Sequence, residues 1–298
     1  MPDLNIFGFQ SLWSPYFFCI LSAVLCCYYF FTVTYQSKIA GSEPLTKKQA
    51  AFFTLAIVLL YIIKGSPLDV MGHITFYTHM MQMASLFYII PPLLIIGIPP
   101  WIWRKIFSIP VFEGFLRFFS KPLIALILFN GLFSIYHIPV IFDMIKTDIF
   151  LHAGYTGLLF LLAINMWWPL LNELKEHQSL SGLKKVGYIF ANGVLITPAC
   201  ALIIFSNIQL YETYADTELW MKAMELCISE DSLQKLNITG PEMFQSMPLL
   251  EDQQLGGVLM KIIQELVFGV ILAKIFFAWY RQDQEEAAKQ YHPFNPQK

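Results

Sequence analysis

The chain has 298 residues, of which 56% are hydrophobic, 16% aromatic and 13% charged, with a mean hydropathy of +0.56 and a formal net charge of -2. Soluble domains carry about 25% charged residues, so the composition excludes an ordinary soluble domain, a disordered chain and a secreted disulfide scaffold. It predicts a membrane protein that crosses the bilayer several times. No basic field for nucleic acid exists, and the five cysteines (Cys19, Cys26, Cys27, Cys200 and Cys227) include no CxxC pair.

A helix needs about 20 apolar residues to cross a bilayer. Runs without Asp, Glu, Lys or Arg predict spans near 12–35, 49–64, 73–97, 122–138, 149–171, 186–208 and 255–280. This is an all-α bundle of seven transmembrane helices, a single membrane domain over 1–298. The second span is short, and Lys48 and Lys64 lengthen it by snorkelling at its ends. Pro198 predicts a kink in the sixth. MPDLNIFGFQ has no basic segment, so the start is not read as a signal peptide.

Loop charge sets the orientation. With the N-terminus outside and the C-terminus cytoplasmic, thirteen lysines and arginines fall on the inner side. Only Lys64, Lys146, Lys222 and Lys235 fall on the outer one, which is a positive-inside bias. Without the second span this pattern scrambles. Residues 211–254 form an acidic extracytoplasmic loop, with a helix expected from about Thr217 to Leu236 and a glycosylation sequon at Asn237-Ile238-Thr239. The loop is too small for its own core, so it is expected to cap the outer surface or dock a partner.

Of six histidines, four map to the outer side. His73 opens the third span and His79 follows deeper on it. His137 ends the fourth span, and His152 begins the fifth. His177 and His292 map to the cytoplasmic side. Polar groups in hydrocarbon are expensive and are usually paired or functional. His79 and Met83 are i,i+4, and His73 and Met80 are i,i+7, so each pair shares a helix face. Met260 falls at about the depth of His79. Imidazole with thioether is a soft donor set that suits copper(I). Asp69, Asp143, Asp148 and Asp252 ring the rim, either to attract a cation or as ordinary solvated surface.

The packing reading stands beside the metal one. Methionine fills gaps in apolar cores, and a lone membrane histidine often only hydrogen-bonds a neighbour. Met221, Met224 and Cys227 recur at i,i+3 and read as the apolar face of an amphipathic helix. Lys261 and Glu265, near mid-membrane, read as a structural ion pair facing the bundle or as a proton or cation relay. Nucleotide, zinc-protease and serine-hydrolase motifs are absent, so no enzyme is indicated.

The segments His79-Met80-Met81-Gln82, Pro91-Pro92-Leu93-Leu94, Gly97-Ile98-Pro99, His137-Ile138-Pro139, His152 leading to Trp167-Trp168-Pro169-Leu170, and Asp252 to Met260 resemble a known family. It is that of the CtaG-type membrane proteins required to form active caa3-type cytochrome c oxidase in bacteria. Many members have His at the position of Met83 and Trp at that of Lys261. The resemblance implies a multi-pass protein of the bacterial cell membrane with an assembly role connected with the oxidase's copper centres. Its partners would be oxidase subunits or other assembly factors, within the lipid bilayer. On this reading His79 and Met83 bind copper at the outer face, and His137, His152, His73, Met80 and Met260 complete or support the site. Asp252, Gln253 and Gln82 orient ligands or gate entry. The rival readings are a copper or proton transporter using Lys261 and Glu265, a haem-binding redox protein, and a scaffold without metal.

Overall fold

A computed structural model describes residues 4–228, 233 and 240–291, and every regular element among them is helical. Helix α1 spans Pro15–Tyr29 and continues through a π-helical turn to Thr34. Its first turn is capped by the Ser14 hydroxyl, which accepts from Phe17 N at 3.3 Å. Helix α2 (Lys47–Lys64) starts at a capping box between Thr46 and Gln49. After a 47° bend comes α3 (Pro67–Ile74). There follow α4 (Phe76–Gly97), α5 (Pro100–Phe107), α6 (Pro110–Phe119) and α7 (Pro122–Tyr136). Helix α8 (Pro139–Lys146) leaves α7 at 82°. The last four are α9 (Ile149–Leu171), α10 (Leu183–Phe205), α11 (Thr217–Met224) and α12 (Leu249–Tyr291). Proline stands first in α1, α3, α5, α6, α7 and α8, where its missing N–H costs no hydrogen bond.

Five helices, α1, α4, α9, α10 and α12, are long and apolar enough to cross a membrane, and there are up to seven if the pairs α2/α3 and α7/α8 each count as one span. The largest departure from the sequence reading lies at the third span. His73 does not open it: His73 belongs to α3, Thr75 is extended (φ -127°, ψ 140°), and the spanning helix starts at Phe76. His73 and Met80 therefore do not share a face of one continuous helix. The cause is distant in sequence. The Asp252 carboxylate at the head of α12 accepts from Phe76 N and Tyr77 N, both at 2.9 Å. It caps a helix that its own Thr75 side chain leaves uncapped.

Helix α12 wedges between α4 and α10 because Gly256 and Gly257 leave room. A Cβ at Gly256 would stand 2.7 Å from the Phe76 ring, and one at Gly257 would stand 2.8 Å from Ile204. Lower in the bundle, Pro91 supplies no N–H to the Phe87 carbonyl four residues earlier. A π-helical turn over Ser85–Ile89 opens the backbone there, and Trp167 Nε1 donates to that carbonyl at 3.0 Å. Trp167 thus serves the turn that precedes the proline pair and packs against Tyr88 and Phe268, while Trp168 packs against Trp103 and Phe107.

The end of the bundle carrying residues 206–248 is called the loop end. Here Trp220 and Met224 of α11 share a small apolar cluster with Val70 and Ile74 of α3, with Phe7 and Leu12, and with Phe244. Through this cluster the described part of the loop packs on α3 and on the N-terminal residues. Helix α11 stops at Met224 and turns follow to Ile228, so it is shorter than expected. The rest of the expected helix (except Leu233), the Asn237 sequon, Lys235 and His292 lie outside the described residues.

Candidate metal centre

Beneath the loop, the ends of α3, α4, α7, α8 and α9 enclose a polar chamber. His73, His79, His137 and Lys146 are each at most 1% exposed, and His152 is 8% exposed. His152 stands edge to face with His73, ring centroids 5.5 Å apart. Lys146 is the residue that the sequence reading left on the outer surface. It stands four residues after buried Phe142 and so shares a face of α8 with it, and that spacing was the available signal.

Lys146 explains His79. Lys146 Nζ lies 3.3 Å from both His79 Nδ1 and the Gly72 carbonyl. His79 Nε2 faces the Tyr136 hydroxyl at 3.5 Å. Both nitrogens of the expected principal ligand are engaged. Phe142 stands 5.3 Å from the His79 ring and 6.4 Å from that of His137. Phe142 and Tyr136 are fully buried there, so the gap a haem would need between these histidines is filled by side chains.

The other imidazoles differ. His137 Nδ1 lies 2.7 Å from the Phe133 carbonyl, while His137 Nε2, His73 Nδ1 and His152 Nδ1 are buried without a hydrogen-bond partner. Met80, Met83 and Met260 are buried in the main core. Gly256, one turn before Met260, faces Met80 across a close α4–α12 contact.

Three of the four rim carboxylates make structural contacts. Asp143 accepts from Glu212 N at 3.2 Å and Thr213 N at 3.0 Å, tying the loop to α8. Asp148 caps α9 through Leu151 N at 2.8 Å. Asp252 caps α4 rather than lining the chamber. Gln253 accepts from Leu210 N at 2.8 Å, and Gln254 donates to the Ser206 carbonyl at 3.0 Å, so this stretch pins the loop. Two tyrosines roof the chamber. Tyr211 donates to the His137 carbonyl at 2.9 Å and Tyr214 to the Gly72 carbonyl at 2.8 Å. Burial raises both hydroxyl pKa values, so they remain protonated donors.

Among the described residues, one group of three His, Cys, Asp or Glu side chains has its ligand atoms all within 4.8 Å of one another: Asp69, His73 and Cys227. His79, His137 and His152 do not form such a group with one another. Asp69 Oδ1 is taken by Lys64 at 2.6 Å and by Gln82 Nε2 at 2.6 Å, while the Cys227 thiol faces Oδ2 at 3.8 Å. Burial first, and then the Asp69 carboxylate, push this thiol up to about 12, so the thiol proton is retained at neutral pH.

Lys261 and Glu265 lie elsewhere. Their ion pair (2.7 Å) sits in a groove of about 420 Å³ between α10 and α12, where Lys261 also reaches Thr197 Oγ1 at 3.2 Å. The Glu265 side chain is 57% exposed, so the pair faces sideways out of the bundle rather than into it.

Cytochrome c oxidase caa3 assembly factors (Caa3_CtaG) match this chain over residues 26–282. The chain belongs to that family. No curated protein and no solved structure matches it. The matched stretch runs from α1 into α12 and takes in every chamber residue named above, so the buried imidazoles, Lys146 and the Asp252 clamp all belong to the part of this caa3 assembly factor that the family defines.

Proposed function

We propose that this family member serves oxidase assembly by holding copper at the loop end of its bundle. It passes the ion to an oxidase subunit or to another assembly factor. The scarcity of lysine and arginine at this end supports reading it as the outer face.

The observation that carries the proposal is the set of three orphaned imidazole nitrogens on His73, His137 and His152. A buried polar atom without a partner costs about 1–3 kcal/mol, and such atoms are few in folded proteins. Neutral imidazole is a ligand for borderline-soft metals, and these three sit at one end of one bundle; among the described residues their ligand atoms are not all within 4.8 Å of one another, so binding has to draw them together. His79 then acts as the partner that holds Lys146 in place, not as the leading ligand. Met80, Met83 and Met260 line the apolar floor. The protein acts as a binding partner rather than as a catalyst.

The test measures copper retained by the purified protein after loading with copper(I), beside formation of active caa3 oxidase in cells. The His137→Gln, His152→Gln double variant should lose copper and oxidase activity together. A wild-type protein without bound copper, or a double variant that assembles the oxidase normally, overturns the copper role and leaves family membership untouched.

A further inference from the structure

We propose that Asp69, His73 and Cys227 form a metal site, sharing His73 with the imidazole set above, that is selective for a thiophilic monovalent cation of the copper(I) type. Its existence does not depend on the copper-delivery reading; only its place in oxidase assembly does.

The site is assembled from two separated segments. Asp69 and His73 are i,i+4 on α3 and so share a face. Cys227 lies in the turn after α11, held over α3 by Trp220 and Met224 packing on Val70 and Ile74. The three ligand atoms fall within 4.8 Å of one another, close to the spacing of donors around a single small ion. One ring nitrogen of His73 is also among the buried atoms without a partner. Asp69 is oriented for the task. Lys64 and Gln82 hold Oδ1, which leaves Oδ2 directed at the sulfur.

Charge selects the ion. Lys64 already neutralises Asp69 at 2.6 Å. When the Cys227 S–H bond breaks, its proton leaves to water and a sulfur–metal bond forms. The thiolate then adds one negative charge, and because Lys146 also acts on this sulfur, a monovalent cation leaves less excess positive charge than a divalent one in a half-buried setting where uncompensated charge is expensive. Thiolate with imidazole is the soft donor pair that favours copper(I). The i,i+3 recurrence of Met221, Met224 and Cys227 that reads as a packing stripe therefore has two jobs: Met224 packs, and Cys227 turns toward Asp69.

The test uses the full chain in detergent, with silver(I) as a redox-inert probe, copper(I) as the native candidate and zinc(II) as comparator. A variant retaining Cys227 as its sole cysteine reports directly on this thiol. Silver(I) should slow its alkylation by at least about tenfold and produce an ultraviolet thiolate-to-metal band, with one ion bound per chain. Cys227→Ser should abolish the band, and Asp69→Asn should weaken protection. Zinc(II) protecting as well as silver(I) overturns the monovalent assignment. Silver(I) or copper(I) binding that survives Cys227→Ser but falls in the His137→Gln, His152→Gln variant overturns this site while leaving the copper role standing. A Cys227-dependent site whose loss leaves oxidase assembly intact supports the site and removes it from copper delivery, which then rests on the other imidazoles.

Discussion

The two ends of the bundle bury polar groups in opposite ways. Away from the loop, Asn130, Asn165, Asn172 and Asn192 each donate to the carbonyl four residues earlier, and Asn130 also reaches Asn192 at 2.9 Å. Unpartnered atoms there are scattered singly, as at the Tyr88 hydroxyl and Trp101 Nε1. At the loop end, three imidazole nitrogens and Trp220 Nε1 are without a partner, beside buried Lys146. The contrast separates polar groups that hold helices together from polar groups left available to a ligand.

Three substitutions test that division. The largest effect is expected from Asp252→Ala, which deprives Phe76 N and Tyr77 N of their shared acceptor. It should destabilise the protein by about 2–3 kcal/mol, seen as a lower melting temperature, and should loosen the loop end first in hydrogen exchange. Uniform loosening of both ends would blur the comparison. Trp167→Phe comes next. It strands the Phe87 carbonyl and should cost about 1–2 kcal/mol while bound metal stays unchanged, so loss of metal in this variant would break the division. The smallest effect belongs to Glu265→Gln in the lateral groove. Metal content and oxidase assembly should match wild type. Ion flux through reconstituted protein that is lost in this variant would instead favour transport.

Much of this architecture is legible in the sequence, because hydropathy acts locally. The runs near 149–171 and 186–208 appear as Ile149–Leu171 and Leu183–Phe205. Counting depth along the spans also brings His79, His137 and His152 to one end. Three features escape such counting, each through contacts between distant segments. The break at Thr75 depends on a carboxylate 176 residues away. Lys146 looks like a surface lysine until the 82° turn after α7 folds α8 inward. Cys227 reads as packing until α11 lies on α3.

The clamp at the head of α12 also has a temporal meaning. Asp252 finishes the first turn of α4, and Gln253 and Gln254 hold the 206–210 segment, yet all three belong to α12, which follows the other described helices in the chain. The earlier helices can enter the bilayer in order, but the roof over the histidines closes only after that helix arrives. The order of the helices along the chain thereby sets the order in which this end of the fold is completed.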